Sequence, residues 1–73
     1  MNPTRIIDLV KIANSVAGKE KYAISVDDFG CYFFEYDNGF KKMMNVVLDE
    51  QSAIDYAKWI INEEASKNGI NNK

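Results

Sequence analysis

The pattern of hydrophobic and polar positions begins with an amphipathic helix. Between residues 3 and 17, apolar side chains recur every three or four positions, which predicts one helix with a single apolar stripe. Its members are Ile6, Leu9, Val10, Ala13, Val16 and Ala17. Pro3 suits the first helical position with Asn2 as its cap, and Gly18 suits a left-handed stop.

A second helical pattern closes the chain. It predicts a helix over about residues 50–68, with Asp49 as its cap and Gly69 as its stop. The core stripe of this helix consists of Ala53, Ile54, Ala57, Ile60 and Ile61. Trp59 falls on the opposite side, and Tyr56 lies on the border of the stripe.

Three short segments of strand character lie between the helices. They are Tyr22–Val26, residues 31–36 and residues 40–48. The last two flank the pair Asn38-Gly39, which favours a two-residue type I′ hairpin because both central residues need a positive φ. The sequence therefore predicts an antiparallel sheet of three strands.

The hairpin turn fixes a register, because Asp37 must then face Phe40 and every later pair follows. The predicted core face of the hairpin is apolar away from its tip, where Glu35 and Lys42 are expected to form an ion pair; it holds Cys31, Phe33, Met44, Val46 and Leu48. The second face carries Tyr32, Phe34, Tyr36, Lys41, Met43, Asn45 and Val47. The pattern leaves open whether both helices share one side of the sheet.

The length of 73 residues fits one domain and no more. The predicted fold is α+β: a small single domain over residues 1–73 with α-β-β-β-α order and a three-stranded antiparallel sheet packed against two helices. Its core spans about residues 3–68, and the polar residues 69–73 are predicted to be a frayed tail. A core of this size leaves only ~3–5 kcal/mol of net stability.

The composition indicates a globular protein of the cytoplasm. Hydrophobic residues make up 47% of the chain and charged residues 27%, which is too apolar for disorder. No apolar run approaches the ~20 residues that span a bilayer, and the first residues lack a signal peptide's apolar stretch. A single free cysteine fits a reducing compartment. We therefore expect no membrane contact.

The chain lacks the residue sets that most catalytic and metal sites use. It has no histidine and one cysteine, Cys31, so Ser–His and Cys–His arrangements are absent and a structural zinc site is not expected. Cys31 lies within a predicted strand, where it is expected to act as a small buried hydrophobe. The carboxylates occur as adjacent pairs in a turn or on a helix, which does not make them converge on a pocket. We predict no enzyme, no cofactor and no metal.

Two groups of aromatic and methionine residues exceed what the core needs. The first lies on the second face of the sheet: Tyr32, Phe34, Tyr36 and Met43. The second, Tyr56 and Trp59, lies one turn apart on the last helix. Such residues are enriched at protein interfaces. The competing interpretation is that each helix covers one face of the sheet and that Trp59 folds over the edge of the core.

The order of elements resembles that of the double-stranded-RNA-binding domain. That resemblance implies RNA binding through the first helix, the turn after the first strand and the start of the last helix. Here those positions carry Asp27-Asp28 and Asp49-Glu50, which would repel phosphate, so the resemblance concerns topology. Residues 22–61 are also similar in outline to the arm-binding domain of phage-type integrases, on the hairpin at 33–42 and the helix at 52–57, which implies a sheet that enters a DNA groove.

Elimination favours a small non-enzymatic module that binds another protein. One form of this function is an inhibitor or regulator of a host or defence complex, encoded by a phage or another mobile element. Four acidic residues would steer a basic partner, such as a nucleic-acid-binding complex. They are Asp27, Asp28, Asp49 and Glu50.

Two alternatives remain open at this point. The first is nucleic-acid binding through the sheet, with Tyr32 or Tyr36 stacking on bases. Phosphate contacts would then come from Lys21, Lys41 and Lys42. The net charge of −2 does not supply the basic field that phosphate binding normally uses. The second alternative is a homodimeric scaffold that pairs its aromatic face with itself.

Overall fold

The computed structural model describes residues 1–67 and confirms the predicted α+β fold. Its elements are α1 (Thr4–Ala17), β1 (Tyr22–Val26), β2 (Cys31–Asp37), β3 (Phe40–Val47) and α2 (Glu50–Lys67). The three strands form an antiparallel sheet in the order β1-β2-β3. The predicted helix end at residue 68, the stop at Gly69 and the tail at 69–73 lie outside the described residues.

The helix boundaries follow the capping residues closely. Gly18 ends α1 with a φ of 78°, which confirms the predicted left-handed stop. Asp49 caps α2, because its carboxylate accepts a 2.9 Å hydrogen bond from the amide of Ser52. Pro3 is one position off: it is the N-cap of α1, since its carbonyl accepts the first helical bond, from the amide of Ile7. The side chain of Asn2 nevertheless accepts a 3.0 Å hydrogen bond from the amide of Thr4, as the predicted cap would.

Both helices pack on the same face of the sheet. Residues of α1, α2 and β2 belong to one buried cluster, and the Tyr56 ring meets the Phe33 ring edge-on at 4.8 Å between centroids. The helices also pack along each other and begin at the same end of the domain, where the Asn2 amide donates a 2.8 Å hydrogen bond to Glu50. The opposite face of the sheet carries no described helix, which answers the question that the pattern left open.

The β2–β3 hairpin confirms the predicted turn and the first half of the predicted register. Asn38 and Gly39 have φ values of 54° and 85°, as a type I′ turn requires. Pairing runs as predicted from Asp37 with Phe40 to Phe34 with Met43. A β-bulge then shifts β3 by one residue, so that Cys31 faces Val47 and not Val46.

The bulge exchanges residues between core and surface. Val47 is buried in the core, whereas Val46 is 43% exposed and Leu48 is 75% exposed. The prediction that Val46 and Leu48 belong to the core is therefore wrong, and so is the assignment of Val47 to the other face. Met44 stays packed against the core as predicted.

The ion pair expected near the hairpin tip is also replaced. Glu35 and Lys42 face each other across the hairpin. Glu35 instead lies 3.7 Å from the Lys21 ammonium, and Lys42 lies 3.5 Å from the Asp37 carboxylate. Each of the two residues is therefore paired with a different partner from the one predicted.

Asn14 is a buried polar residue that the helical pattern placed outside the apolar stripe. Its side-chain oxygen accepts hydrogen bonds from the amides of Lys21 (2.9 Å) and Tyr22 (2.7 Å). Its side-chain nitrogen donates to the Tyr22 carbonyl at 3.0 Å. Asn14 therefore joins α1 to the first residues of β1.

Gly30 is required where the β1–β2 turn passes the end of β3. A Cβ at this position would lie 2.7 Å from the carbonyl oxygen of Val47, which is backbone and cannot rotate away. We expect Gly30→Ala to lower the free energy of unfolding by about 2 kcal/mol, the usual scale of overpacking. Urea denaturation measures it, with the exposed turn residue Asp28→Ala as control. Equal midpoints for the two variants would contradict the close approach.

Candidate interaction surfaces

The uncovered face of the sheet, here called the open face, brings together the first predicted group of binding residues. It holds Tyr32, Phe34, Tyr36 and Met43, joined by Val46. Met43 is 53% exposed and Tyr36 is exposed at the hairpin end. Val46 was missed by the sequence reasoning because the bulge alone moves it to this side. The open face therefore brings apolar and aromatic side chains of β2 and β3 together, with Lys41 among them.

Polar neighbours hold part of the open face in place. The Tyr32 hydroxyl donates a 3.1 Å hydrogen bond to the Asp27 carboxylate. The Lys41 ammonium lies 4.5 Å from the centre of the Phe34 ring, within cation–π range. Tyr32 and Phe34 are half-buried, whereas Met43, Val46 and Tyr36 are the exposed apolar and aromatic side chains of this surface.

Tyr56 and Trp59 form a second surface on a different side of the domain. Their rings stack with centroids 5.4 Å apart and an interplanar angle of 23°. Tyr56 is half-buried against Phe33, whereas Trp59 stays 49% exposed. The stacking does not bury Trp59, which remains accessible beside Tyr56.

A shallow groove lies between the end of β3 and the start of α2, and it will be called the acidic groove. It is lined by Asn45, Val46, Val47, Leu48, Asp49, Ser52, Asp55 and Tyr56. Val46 belongs both to this groove and to the open face, and Tyr56 connects the groove to Trp59. Leu48, predicted to be core, is the most exposed apolar residue of its lining.

The four predicted steering carboxylates meet at one end of the domain. Asp27 and Asp28 lie in the β1–β2 turn, which touches the β3–α2 junction because Gly30 packs against Leu48. Asp49 and Glu50 begin α2 at that junction. This end also exposes Phe29, whose side chain is 78% accessible and which sequence reasoning missed because turn residues carry no periodicity.

Two of these acids also have structural roles that keep them ionised. The Asp27 carboxylate accepts hydrogen bonds from the amides of Phe29 (2.8 Å) and Gly30 (3.1 Å), and these bonds lower the pKa of Asp27 below its ordinary range. The bonds from Ser52 lower the pKa of Asp49 in the same way. Both side chains are fixed in position and negatively charged at neutral pH.

The three lysines of the nucleic-acid alternative differ in their surroundings. Lys21 is 17% exposed and pairs with Glu64 at 2.7 Å and with Glu35 at 3.7 Å. Lys42 is paired with Asp37, while Lys41 lies over the Phe34 ring on the open face. Two of the three charges are thus already matched by carboxylates of this chain.

Cys31 is fully buried in the core, as predicted. Burial raises the pKa of its thiol to about 11, so the thiol is neutral at physiological pH. A neutral, enclosed thiol is a poor nucleophile.

No protein-family model, curated protein or solved structure matches this chain. Within residues 1–67, no helix is long and apolar enough to cross a membrane. In the same part of the chain, no group of three or more acidic or cysteine side chains is arranged to hold a metal ion.

Proposed function

We propose that this protein is a binding module for another protein and that the open face of the sheet is its main contact surface. One observation carries the proposal: both helices occupy one face of the sheet, which leaves Tyr36, Met43 and Val46 exposed on the other. Contiguous apolar surface rimmed by polar groups is typical of interfaces. Tyrosine and methionine are also among the residue types enriched there.

The open face offers anchors of two kinds. Met43 is unbranched and adapts its shape to a partner surface. Tyr36 supplies a rigid ring with a hydroxyl for a directional hydrogen bond. Trp59 on α2 is a separate anchor, and tryptophan is the residue type most enriched at interface hot spots. An inhibitory role and an origin in a mobile element stay predictions from the sequence, since no contact of the described residues bears on them.

The proposal is tested by capture with matched variants. Tagged protein is incubated with lysate of the natural source, with and without nuclease, and bound proteins are quantified. We expect a partner that survives nuclease, and Met43→Ser should weaken its binding by about tenfold or more, as the loss of an interface anchor does. The control is Ile12→Ser on α1, which removes an apolar side chain of nearly equal exposure, 48% against 53%.

Three results would contradict this function. Equal capture by the Met43→Ser and Ile12→Ser proteins would remove the open face as the contact surface. Recovery that disappears with nuclease would favour the nucleic-acid alternative. A dimeric mass in solution that Met43→Ser converts to a monomer, with no other protein captured, would favour the homodimer.

A further inference from the structure

The acidic groove exists because two helices are wider than three strands. Strands lie ~4.8 Å apart, so the outer strands of a three-stranded sheet are ~10 Å apart. Two helices packed side by side, each ~10 Å across and ~9 Å between axes, cover ~20 Å. Here α2 packs mainly along α1 and makes few contacts with β3. The flank of α2 that carries Ser52, Asp55 and Tyr56 therefore overhangs the end of β3.

Main-chain pairing along this end of β3 is partly blocked. The bulge interrupts the regular hydrogen-bonding pattern of β3 just before Val46, which pairs with Tyr32. The amide of Val46 already donates a 2.9 Å hydrogen bond to the side chain of Asn45. A bulge and a capped amide are devices that discourage strand addition at a sheet edge. An occupant of the groove must therefore be recognised mainly through its side chains.

The lining of the groove specifies the chemistry of those side chains. Leu48 and Val46 offer exposed apolar surface, and Tyr56 forms the aromatic wall. Asp49 and Asp55 are its charged lining residues, with no lysine or arginine among the residues that line it. Asp27, Asp28 and Glu50 add negative charge at the same end. The Asp49 carboxylate is held rigidly by two bonds from Ser52, at 2.9 and 2.8 Å.

We infer that the acidic groove binds an extended segment of a protein partner in which an apolar side chain stands next to lysine or arginine. The apolar side chain covers Leu48 and Tyr56, and the cation meets Asp49 and Asp55, an arrangement that charge complementarity favours. This inference rests on the proposed function, since it names the chemistry of the partner. A second copy of the chain would be a different occupant, and self-association detected on dilution distinguishes it from a peptide segment of another protein.

The test uses three synthetic ten-residue peptides and the full chain labelled with ¹⁵N. The first peptide alternates leucine with lysine, the second leucine with glutamine, and the third serine with lysine. We expect the leucine–lysine peptide to shift the amide resonances of Leu48, Asp55 and Tyr56. Each of the other two peptides should bind about tenfold more weakly, because each lacks one of the two matched features.

Matched variants locate the interaction. Asp55→Asn should weaken binding of the leucine–lysine peptide about threefold, more so at low salt, because a partly exposed charge pair is screened by ions. Glu63→Gln removes one charge from an exposed position further along α2 and should leave binding unchanged. Leu48→Ser should weaken binding, whereas Phe40→Ser, an equally exposed position at the far end of β3, should not.

Three outcomes would overturn the inference. They are equal binding of the leucine–lysine and leucine–glutamine peptides, resonance shifts confined to the open face, and equal losses from Asp55→Asn and Glu63→Gln. Shifts of the Leu48 resonance on dilution without peptide would assign the groove to a second copy. Met43→Ser separates this inference from the proposed function. If Met43→Ser loses its lysate partner but still binds the leucine–lysine peptide, the result supports both the proposed function and this inference. If the groove variants change neither capture of the partner nor binding of the peptide, the inference about the groove is wrong and the proposed function is unaffected.

Discussion

Asn14→Ala is expected to remove most of the net stability of the domain at 25 °C. The substitution removes all three hydrogen bonds that join α1 to the start of β1. Two of the groups left without a partner are the amide and the carbonyl of the buried residue Tyr22. An unsatisfied buried polar group costs ~1–3 kcal/mol, so a loss of about 3–4 kcal/mol is expected. That approaches the whole net stability of ~3–5 kcal/mol for a domain of this size.

The importance of Asn14 follows from its place at a sheet edge. The Lys21 carbonyl accepts a hydrogen bond from the Tyr36 amide at 2.8 Å. Because hydrogen-bonded and non-bonded pairs alternate along an antiparallel ladder, the next pair, Tyr22 with Glu35, is a non-bonded one. The backbone groups of Tyr22 therefore point away from β2. The Asn14 amide binds both of them, as a neighbouring strand would.

Urea denaturation followed by circular dichroism at 222 nm measures this effect. Ser15→Ala, on the exposed side of the same helical turn, is the control and should change stability by less than about 0.5 kcal/mol. Asn14→Asp should be intermediate, since a carboxylate still accepts the two amides but repels the Tyr22 carbonyl. A wild-type midpoint for Asn14→Ala would show that water replaces the side chain at this edge.

The local parts of the fold were predictable because each depends on a few neighbouring residues. Asn38-Gly39 specified the hairpin, and Asp49 and Gly18 marked two helix ends. The predicted register is wrong beyond Phe34 because β3 contains two apolar doublets, Met43-Met44 and Val46-Val47. Identical residues at adjacent positions present the same side chain to either face. An alternating pattern therefore could not reveal the bulge.

The surfaces were predictable only in part, because the bulge in β3 decides which residues reach them. The open face was correctly grouped at Tyr32, Phe34, Tyr36 and Met43, because β2 itself is regular and Met43 comes before the bulge in β3. The acidic groove was not foreseen, because Leu48 and Val46 reach the surface only through the shifted register. Buried polar residues were not foreseen either: Asn14 and Glu64 are buried by partners distant in sequence, which polarity at a single position does not reveal.

Glu64→Ala is expected to lower the free energy of unfolding by about 3 kcal/mol. The Glu64 carboxylate is buried and accepts hydrogen bonds from the Lys21 ammonium at 2.7 Å and from the Tyr22 hydroxyl. Removing one partner of a buried ion pair typically costs ~3–5 kcal/mol, because the other charge loses its compensation. The lower end applies here, since Lys21 keeps Glu35 at 3.7 Å and some contact with water. Glu63→Ala, next to it and exposed, is the control in the same urea titration.

Glu64→Gln isolates the part of this contribution that depends on charge. Burial alone would raise the pKa of Glu64, but hydrogen bonds from Lys21 and Tyr22 and the charge of Lys21 outweigh it and lower the pKa below its ordinary value of 4.5. A group with a lowered pKa in the folded state stabilises that state above its unfolded pKa, and this contribution is lost as the pH falls through the folded value. The hydrogen bond to Glu64 raises the pKa of Lys21 above its ordinary value of 10.5. The stabilisation by the charged Lys21 is therefore present below pH 10.5 and is lost as the pH rises through the raised pKa.

The difference in stability between wild type and Glu64→Gln should therefore form a plateau between about pH 5 and pH 10 and shrink on both sides. Urea midpoints measured at intervals from pH 3 to pH 11 give this curve directly. Glu63→Gln, which removes a charge at the neighbouring exposed position, is the control in the same series. A Glu64→Gln difference that stays constant down to pH 3 would mean that the side chain stabilises the domain through shape and hydrogen bonding, and not through its charge.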